Sequence, residues 1–385
     1  MRGLRRRTLL SMMTGAAAMA SARCRLAPQH DAPGAAARSK AAQFAGKLVE
    51  DVGAGARAAL SYIGDRLGLF KAMAGAGPIT VEELARRTGL HARYVRAWLE
   101  TMVSAEYVDY RPADRTFLLP PEHAAVIADE ESPLFMGGAV EFLVPAVVVT
   151  PKVQEAFRTG KGVAYSEYMP EVFEAIARWS APGFKHQLVQ TWIPTMPQVD
   201  QRLQTGGTAA DVGCGQGLAS LQMAKAFPRA RFWGFDPHGP SIERARANAA
   251  AQGLADRVTF ETIDGVDLPK RQFDFISTFD VLHDSANPAA IVGAVRQALA
   301  PEGTYLAYEP NLSTKLEENV TPWGRLLYPV TTLYCMSVSL GQGGAGIGSD
   351  VNEGMVREWS RVAGFSRFRK LPIEDPVSGF YEIRI

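Results

Sequence analysis

The segment Thr208-Ala209-Ala210-Asp211-Val212-Gly213-Cys214-Gly215-Gln216-Gly217 constrains this chain more than any other. A short apolar strand, Thr208 to Val212, runs into three alternate glycines, and a helix-like stretch, Leu218 to Phe227, follows. Glycines let the backbone turn tightly and let a ligand approach where a Cβ would stand in the way. A second apolar strand, Arg231 to Phe235, ends at Asp236, whose carboxylate can accept both hydroxyls of a ribose. Strand, glycine turn, helix, strand and acid in this order predict a nucleoside-type cofactor. Alone, the turn is a weak signal, because G-x-G-x-G also serves ordinary tight turns and dinucleotide sites. Asp211, just before it, sharpens the reading: an acid there repels a pyrophosphate and suits a cation.

The C-terminal half continues the alternation. Val258 to Thr262, Phe273 to Asp280 and Thr304 to Tyr308 read as strands, with an amphipathic helix from Pro288 to Ala300 before the last of these. Asp350-x-x-Glu353 reads as a capping pair opening a helix that stops near Gly364. Phe365 to Leu371 and Phe380 to Ile385 then read as a final strand pair. Strands alternating with helices predict an α/β fold with a Rossmann-like, seven-stranded, mostly parallel sheet covered on both faces. Ligands of such sheets sit beyond the carboxyl ends of the strands. Those ends carry the glycine turn, Asp236, Asp264, Asp280, His283 and Glu309.

The preceding text has a different character. Val49 to Met73 reads as largely helical, Thr80-Val81-Glu82-Glu83 as a capping box, and His91 to Ser104 as a second short helix after Gly89. Tyr107 to Tyr110 and Thr116 to Leu119 read as two short strands around a charged turn, which completes an α-rich winged helix. Such a unit can lay its second helix in a DNA groove. Here that helix offers Arg93 and Arg96 but also Glu100, few contacts for a phosphate backbone. The apolar text around Leu67, Leu69 and Phe70 exceeds what so small a unit buries alone and predicts a homodimer. Residues 1–40 read as a leader, 41–130 as the winged helix, 131–200 as connecting helices and 201–385 as the cofactor domain.

Charge narrows the partners. The first thirty residues hold six arginines and no acid, so a formal net charge of +1 leaves −5 on the remainder, which disfavours nucleic acid. Arg6-Arg7-Thr8-Leu9-Leu10 resembles a twin-arginine export signal, and Ala20-Ser21-Ala22 fits a cleavage site. The apolar run from Gly137 to Val149, broken by Glu141 and Pro145, is too short to span a membrane and reads as a buried helix. The three cysteines, Cys24, Cys214 and Cys335, have no metal-ligand or disulfide spacing. Asn311 to Gly348 is a long block whose Trp323, Leu327, Tyr328 and Tyr334 predict a packed lid.

Together with Gly234-Phe235-Asp236-Pro237-His238, Asp280-Val281-Leu282-His283-Asp284, Glu309-Pro310-Asn311 and Asn319-x-x-Pro322-x-Gly324-Arg325, the glycine turn resembles that of bacterial winged-helix class I S-adenosylmethionine-dependent methyltransferases. The match runs from about Val49 to the end of the chain. It implies S-adenosylmethionine as cofactor, a small-molecule acceptor, a dimerising winged helix and, from where the cofactor is made, a cytoplasmic location, with twin-arginine export as the alternative. The implied cofactor residues are Asp211, Gly213, Gly215, Gly217, Asp236, His238, Asp264, Gly265 and Asp280, with Asp264 at the adenine amino group. His283-Asp284 is similar to the His-Asp pair of plant-type O-methyltransferases, whose histidine is the general base, and Glu309 to the acid that orients it. Ser285 departs from that pattern, which has Trp at this position. Tyr165, Tyr168, Trp192 and Trp323 are implied walls of the acceptor pocket. No N-P-P-Y-type motif follows the fourth strand, which disfavours adenine N-methylation, and no cluster of acids and histidines predicts a metal. Two other readings stay open: a DNA-binding regulator with a cofactor-sensing domain, and a cofactor binder without catalysis.

Overall fold

A computed structural model describes residues 35–385 except Arg271, so the twin-arginine-like text lies outside the described residues. The chain divides into two compact units, residues 1–54 and 55–385. The described part of the first unit belongs to a helix, Ala35–Arg66, which runs through residue 40, where the sequence suggests the leader ends. Phe44, Leu48, Val49 and Val52 on this helix are all exposed.

The second unit begins with the winged helix. Extended Thr80 caps the helix Val81–Thr88 by accepting from the Glu83 N–H at 3.2 Å, and left-handed Gly89 closes it. His91 caps Ala92–Ser104, whose Val95, Trp98, Leu99 and Met102 are buried with Leu84, Leu69 and Phe70 in one apolar cluster. With Leu69 and Phe70 inside, only Leu67 of the three residues expected to remain uncovered is exposed, at 50%. The wing pairs β1 (Asp109–Arg111) with β2 (Thr116–Leu118), antiparallel. β1 starts two residues later than the sequence suggests, because the N–H groups of Tyr107 and Val108 turn back to the Met102 carbonyl. On the second helix Arg96 pairs with Glu82 at 3.4 Å, which withdraws a cation a DNA-reading surface would use.

Helices Gly137–Val148, Thr150–Thr159 and Pro170–Gly183 follow, then a π-helical stretch Phe184–Trp192. Buried Glu141 is held by Arg66 at 2.8 Å and Arg178 at 3.0 Å, and Arg178 also reaches Asp65 at 2.9 Å. A buried carboxylate needs such partners, and these tie the middle helices to the winged helix.

The sheet consists of β3 (Thr208–Val212), β4 (Arg231–Asp236), β5 (Val258–Thr262), β6 (Phe273–Phe279), β7 (Leu299–Pro310), β8 (Arg367–Lys370) and β9 (Ser378–Arg384). Their order is β5-β4-β3-β6-β7-β9-β8, with β3 to β7 parallel and β9 antiparallel to both its neighbours. Two apolar clusters hold it. Leu203, Phe232, Phe260 and Phe275 lie in one, and Phe235, Ile276, Val292 and Tyr305 in the other. The order reverses between β3 and β6, and ligands of open α/β sheets bind beside such a switch point.

The cap of the last long helix differs from the sequence reading. The helix Glu353–Val362 is capped by extended Asn352, which accepts from the Met355 N–H at 3.2 Å, while Asp350 lies in the preceding 3-10 turn. The block after β7 folds into helices Pro322–Leu333 and Cys335–Gly341. Among the described residues no helix is long and apolar enough to cross a membrane.

Candidate active site

Three residues of the glycine turn have positive φ: Gly213 at 72°, Gly215 at 51° and Gly217 at 77°. A Cβ on Gly213 would meet Val281 at 2.4 Å, so that position is closed by the protein itself. No atom lies within 4 Å of where a Cβ on Gly215 would stand, so the tip of the turn faces open space. The turn is tied to the end of β4 by the Gly213 N–H on the Phe235 carbonyl at 2.7 Å and the Gly215 N–H on Asp236 Oδ2 at 2.9 Å. Asp236 Oδ1 accepts from the His238 N–H at 2.8 Å. Asp236 therefore shapes the turn, and each oxygen retains a lone pair for a ligand hydroxyl.

Asp211 is buried, with the hydroxyls of Ser277 at 3.1 Å and Ser220 at 3.3 Å as donors. Burial pushes its carboxyl up to about 7. Such a group gains from a cationic ligand, which would favour its charged form. His238 bonds Ser241 Oγ at 2.8 Å, packs on Phe173 and Tyr165, and is pulled below its ordinary range by burial. Asp264 accepts from the Val266 N–H at 3.1 Å, which forms the turn that carries Gly265.

At the end of β6 the backbone of Asp280 is left-handed, with φ 64°, and its N–H bonds the Tyr308 carbonyl at 2.8 Å. The kink aims Val281, Leu282 and His283 at β7. Fully buried Glu309 Oε1 accepts from the Val281 and Leu282 N–H groups at 3.1 and 2.7 Å. Its Oε2 accepts from the His283 N–H at 3.2 Å and from His283 Nδ1 at 3.0 Å. Asp280 Oδ1 lies 3.6 Å from the same Nδ1. A carboxylate can only accept, so Nδ1 carries the proton and Nε2 is the nitrogen left for other partners. The Cys335 sulfur lies close enough to the imidazole to act on its charge. Burial opposes the imidazolium, but Cys335, Asp280 and Glu309 outweigh it and hold His283 well above its ordinary range.

Asp280, His283 and Glu309 place three donor atoms within 4.8 Å of one another. Four N–H donors already fill both Glu309 oxygens, so this set does not suit a metal.

One cavity of about 1350 Å³ brings these parts together. Asp211, Gly213, Gly215, Asp236, His238, Asp264, Gly265, Asp280 and His283 line it, as do Tyr165, Tyr168, Trp192 and Trp323. Gly217 and Glu309 do not: Gly217 packs against Phe260, and Glu309 lies behind His283. Tyr168 donates its hydroxyl to the Leu333 carbonyl at 2.8 Å, and Trp192 stacks on Tyr308 at 5.6 Å and 18°. Both are structural walls. Ser285, where the plant-type pattern has Trp, lines the cavity and turns its hydroxyl back to the Leu282 carbonyl at 3.0 Å. Sequence reasoning reached Asp284 only as the neighbour of His283 in its motif and did not place Cys335 or Asp375 at the site; all three line the cavity. Cys335 and Asp375 arrive from segments with no motif of their own, and only the fold brings them to His283 and Asp280.

Residues 55–129 match the Rv2258c-like winged HTH domain, and residues 203–356 match the methyltransferase domain. The ubiquinone biosynthesis O-methyltransferase of Neisseria meningitidis serogroup A is 34% identical over 104 residues, covering 26% of this chain and 42% of that protein. The chain spans less than half the length of the first curated relatives it matches. The solved mitomycin 7-O-methyltransferase MmcR superposes with a TM-score of 0.67 at 21% identity, over 91% of this chain and 99% of that one. Human N-acetylserotonin methyltransferase in complex with SAM gives 0.60 at 18%, over 92% and 99%. At these identities the structural likeness is one of fold. The chain thus joins a winged helix-turn-helix domain to a methyltransferase domain with the class I methyltransferase fold.

Proposed function

We propose that the protein is an O-methyltransferase acting on a small-molecule hydroxyl, with His283 as general base and Glu309 as the residue that positions it. The observation that carries this reading is the anchored imidazole: Nδ1 is fixed on buried Glu309 while the ring lines the cavity that the glycine turn also borders. S-adenosylmethionine, when bound, supplies an electrophilic methyl group on a sulfonium. Gly215, Asp236, Asp264 and His238 are suited to its nucleoside portion, and Asp211 favours its positive charge. Deprotonated His283 Nε2 takes the proton of the acceptor hydroxyl as the oxygen attacks. Nδ1–H on Glu309 then stabilises the imidazolium.

Residues 41–130 serve dimerisation in this reading, 131–200 wall the acceptor and 201–385 hold the cofactor. The exposed apolar face of Phe44, Leu48, Val49 and Val52 supports a homodimer. Cofactor supply supports a cytoplasmic location. The test of the chemistry is transfer of labelled methyl from S-adenosylmethionine to a panel of phenols. Wild type is expected to methylate at least one, and His283→Ala to bind the cofactor but lose turnover by about 10²–10⁴-fold. Equal rates for the two would exclude His283 as base.

A further inference from the structure

Carboxylates dominate the charge of the cavity wall. Among the described residues neither lysine nor arginine lines it, whereas Asp211, Asp236, Asp264, Asp280, Asp284 and Asp375 do. The first three stand around the glycine turn and are accounted for by a cationic cofactor. The other three belong to the His283 end. Asp284 follows His283 directly, and Asp375 lies close enough to Asp280 for its charge to be felt there. Among the described residues no hydrogen bond reaches the Asp284 carboxylate, and only one Asp375 oxygen is engaged, by the Val377 and Ser378 N–H groups at 3.0 and 2.8 Å. Burial pushes Asp284 up to about 7, while the Asp280 side chain stays half exposed. Among the described residues no cation of the wall neutralises them apart from the His283 imidazolium. Beside these acids, Tyr308 lies under Trp192, with Phe279 at 6.3 Å.

We propose that this end of the cavity selects its acceptor by charge: it takes uncharged or ammonium-bearing aromatic hydroxyl compounds and rejects those carrying a carboxylate, sulfate or phosphate. An anion brought here would leave water for a space that already holds three carboxylates and, among the described residues, no lysine or arginine. Like charges juxtaposed without water strongly disfavour binding. An ammonium would meet carboxylates and ring faces instead, both of which favour it. Neutral aromatics gain from the rings alone. This inference rests on the acceptor-site reading above but concerns binding, so the two can fail separately.

The test uses three phenols of matched size: tyramine, 4-ethylphenol and 4-hydroxyphenylacetate. Each is titrated calorimetrically into the full chain saturated with S-adenosylhomocysteine, so no turnover is needed. Tyramine and 4-ethylphenol are expected to bind, and 4-hydroxyphenylacetate to bind at least roughly tenfold more weakly than either. Asp375→Asn, which keeps the Oδ1 acceptor of the Val377 and Ser378 N–H groups, is expected to narrow the gap between tyramine and the acid. Equal or tighter binding of the acid overturns the proposal. So does an unchanged gap in both Asp375→Asn and Asp284→Asn, or no binding of any phenol at millimolar concentration. Charge-selective binding without methyl transfer would uphold the selectivity and count against the methyltransferase chemistry.

Discussion

The Glu309 carboxylate holds His283 twice, through the ring Nδ1 at 3.0 Å and the backbone N–H at 3.2 Å, both on Oε2. Its other oxygen holds the two preceding backbone N–H groups. The residue that orients the base is therefore also the cap of the turn that carries it. Glu309→Gln must turn an amide N–H₂ toward some of these donors. Leaving a buried polar group unsatisfied costs about 1–3 kcal/mol. The variant is expected to lose stability as well as rate, with a lower urea midpoint at unchanged m-value. A variant as stable as wild type but slow would assign Glu309 to orientation alone.

The direction of the pH dependence follows from the buried acids and base. His283 is held above its ordinary range, so any stability it contributes is present at low pH and lost as pH rises through its raised value. Asp211 and Asp284 are raised to about 7, so the folded state binds more protons than the unfolded one between about pH 4 and 7. Both effects act in one direction. Without cofactor the protein is expected to melt at a lower temperature at pH 8 than at pH 6. Stability rising over that interval would contradict both assignments.

S-adenosylmethionine carries a sulfonium and S-adenosylhomocysteine does not. A cation near Asp211 favours the ionised carboxyl, so binding S-adenosylmethionine near pH 7 should expel more protons than binding its product. Calorimetry in two buffers of different ionisation enthalpy reads this difference. Equal proton release for the two ligands would remove Asp211 from the neighbourhood of the sulfonium.

The glycines of the turn separate fold from binding. Gly213→Ala places a methyl 2.4 Å from Val281 at positive φ and is expected to destabilise the domain severely. Gly215→Ala meets no atom within 4 Å and adds only the strain of positive φ, about 1–2 kcal/mol. It should stay folded and bind S-adenosylhomocysteine at least tenfold more weakly, since the methyl enters the open space at the turn. Wild-type affinity in Gly215→Ala would mean that the cofactor does not lie against this residue.

The parts of the site legible in the sequence are those in which a local pattern determines the geometry. Three alternate glycines between a strand and a helix leave little choice but a tight turn, and an acid at the end of the next strand falls beside it. His283 was legible because the fourth strand ends just before it. The four N–H groups on Glu309 were not, since they depend on the left-handed kink at Asp280, a conformation that a non-glycine residue adopts only when its surroundings impose it. Cys335 and Asp375 were not legible either, because each is brought in by a segment distant in sequence. The same limit explains the cap at Asn352. Both Asp350 and Asn352 are good capping residues, and the 3-10 turn before the helix decides between them.

The helix Ala35–Arg66 gives a prediction on assembly. Phe44, Leu48, Val49 and Val52 fall at spacings that place them along one side of a helix, and they are between 51% and 71% exposed. Replacing Leu48 and Val52 by Glu is expected to turn a dimer into a monomer in sedimentation at micromolar concentration. A wild-type monomer at that concentration would refute the homodimer.

Cys335 offers the last test, through its contact with the base. The imidazolium has two N–H groups to place. One goes to Glu309, and the Cys335 sulfur lies close enough to act on the charged ring. Both contacts favour the charged ring, so both delay the appearance of the free base as pH rises. Burial raises the Cys335 thiol above its own ordinary range, so it stays protonated near neutrality and acts as a dipole rather than a full charge. Cys335→Ala removes that contact, and the His283 titration is expected to move down. The rising limb of single-turnover rate against pH should then shift to lower pH, whereas Cys335→Ser, which keeps an acceptor, should shift it less. A purely packing role for Cys335 would change the melting temperature and leave the limb in place. An unchanged limb in Cys335→Ala, with methyl transfer intact, would detach the thiol from the proton-accepting nitrogen.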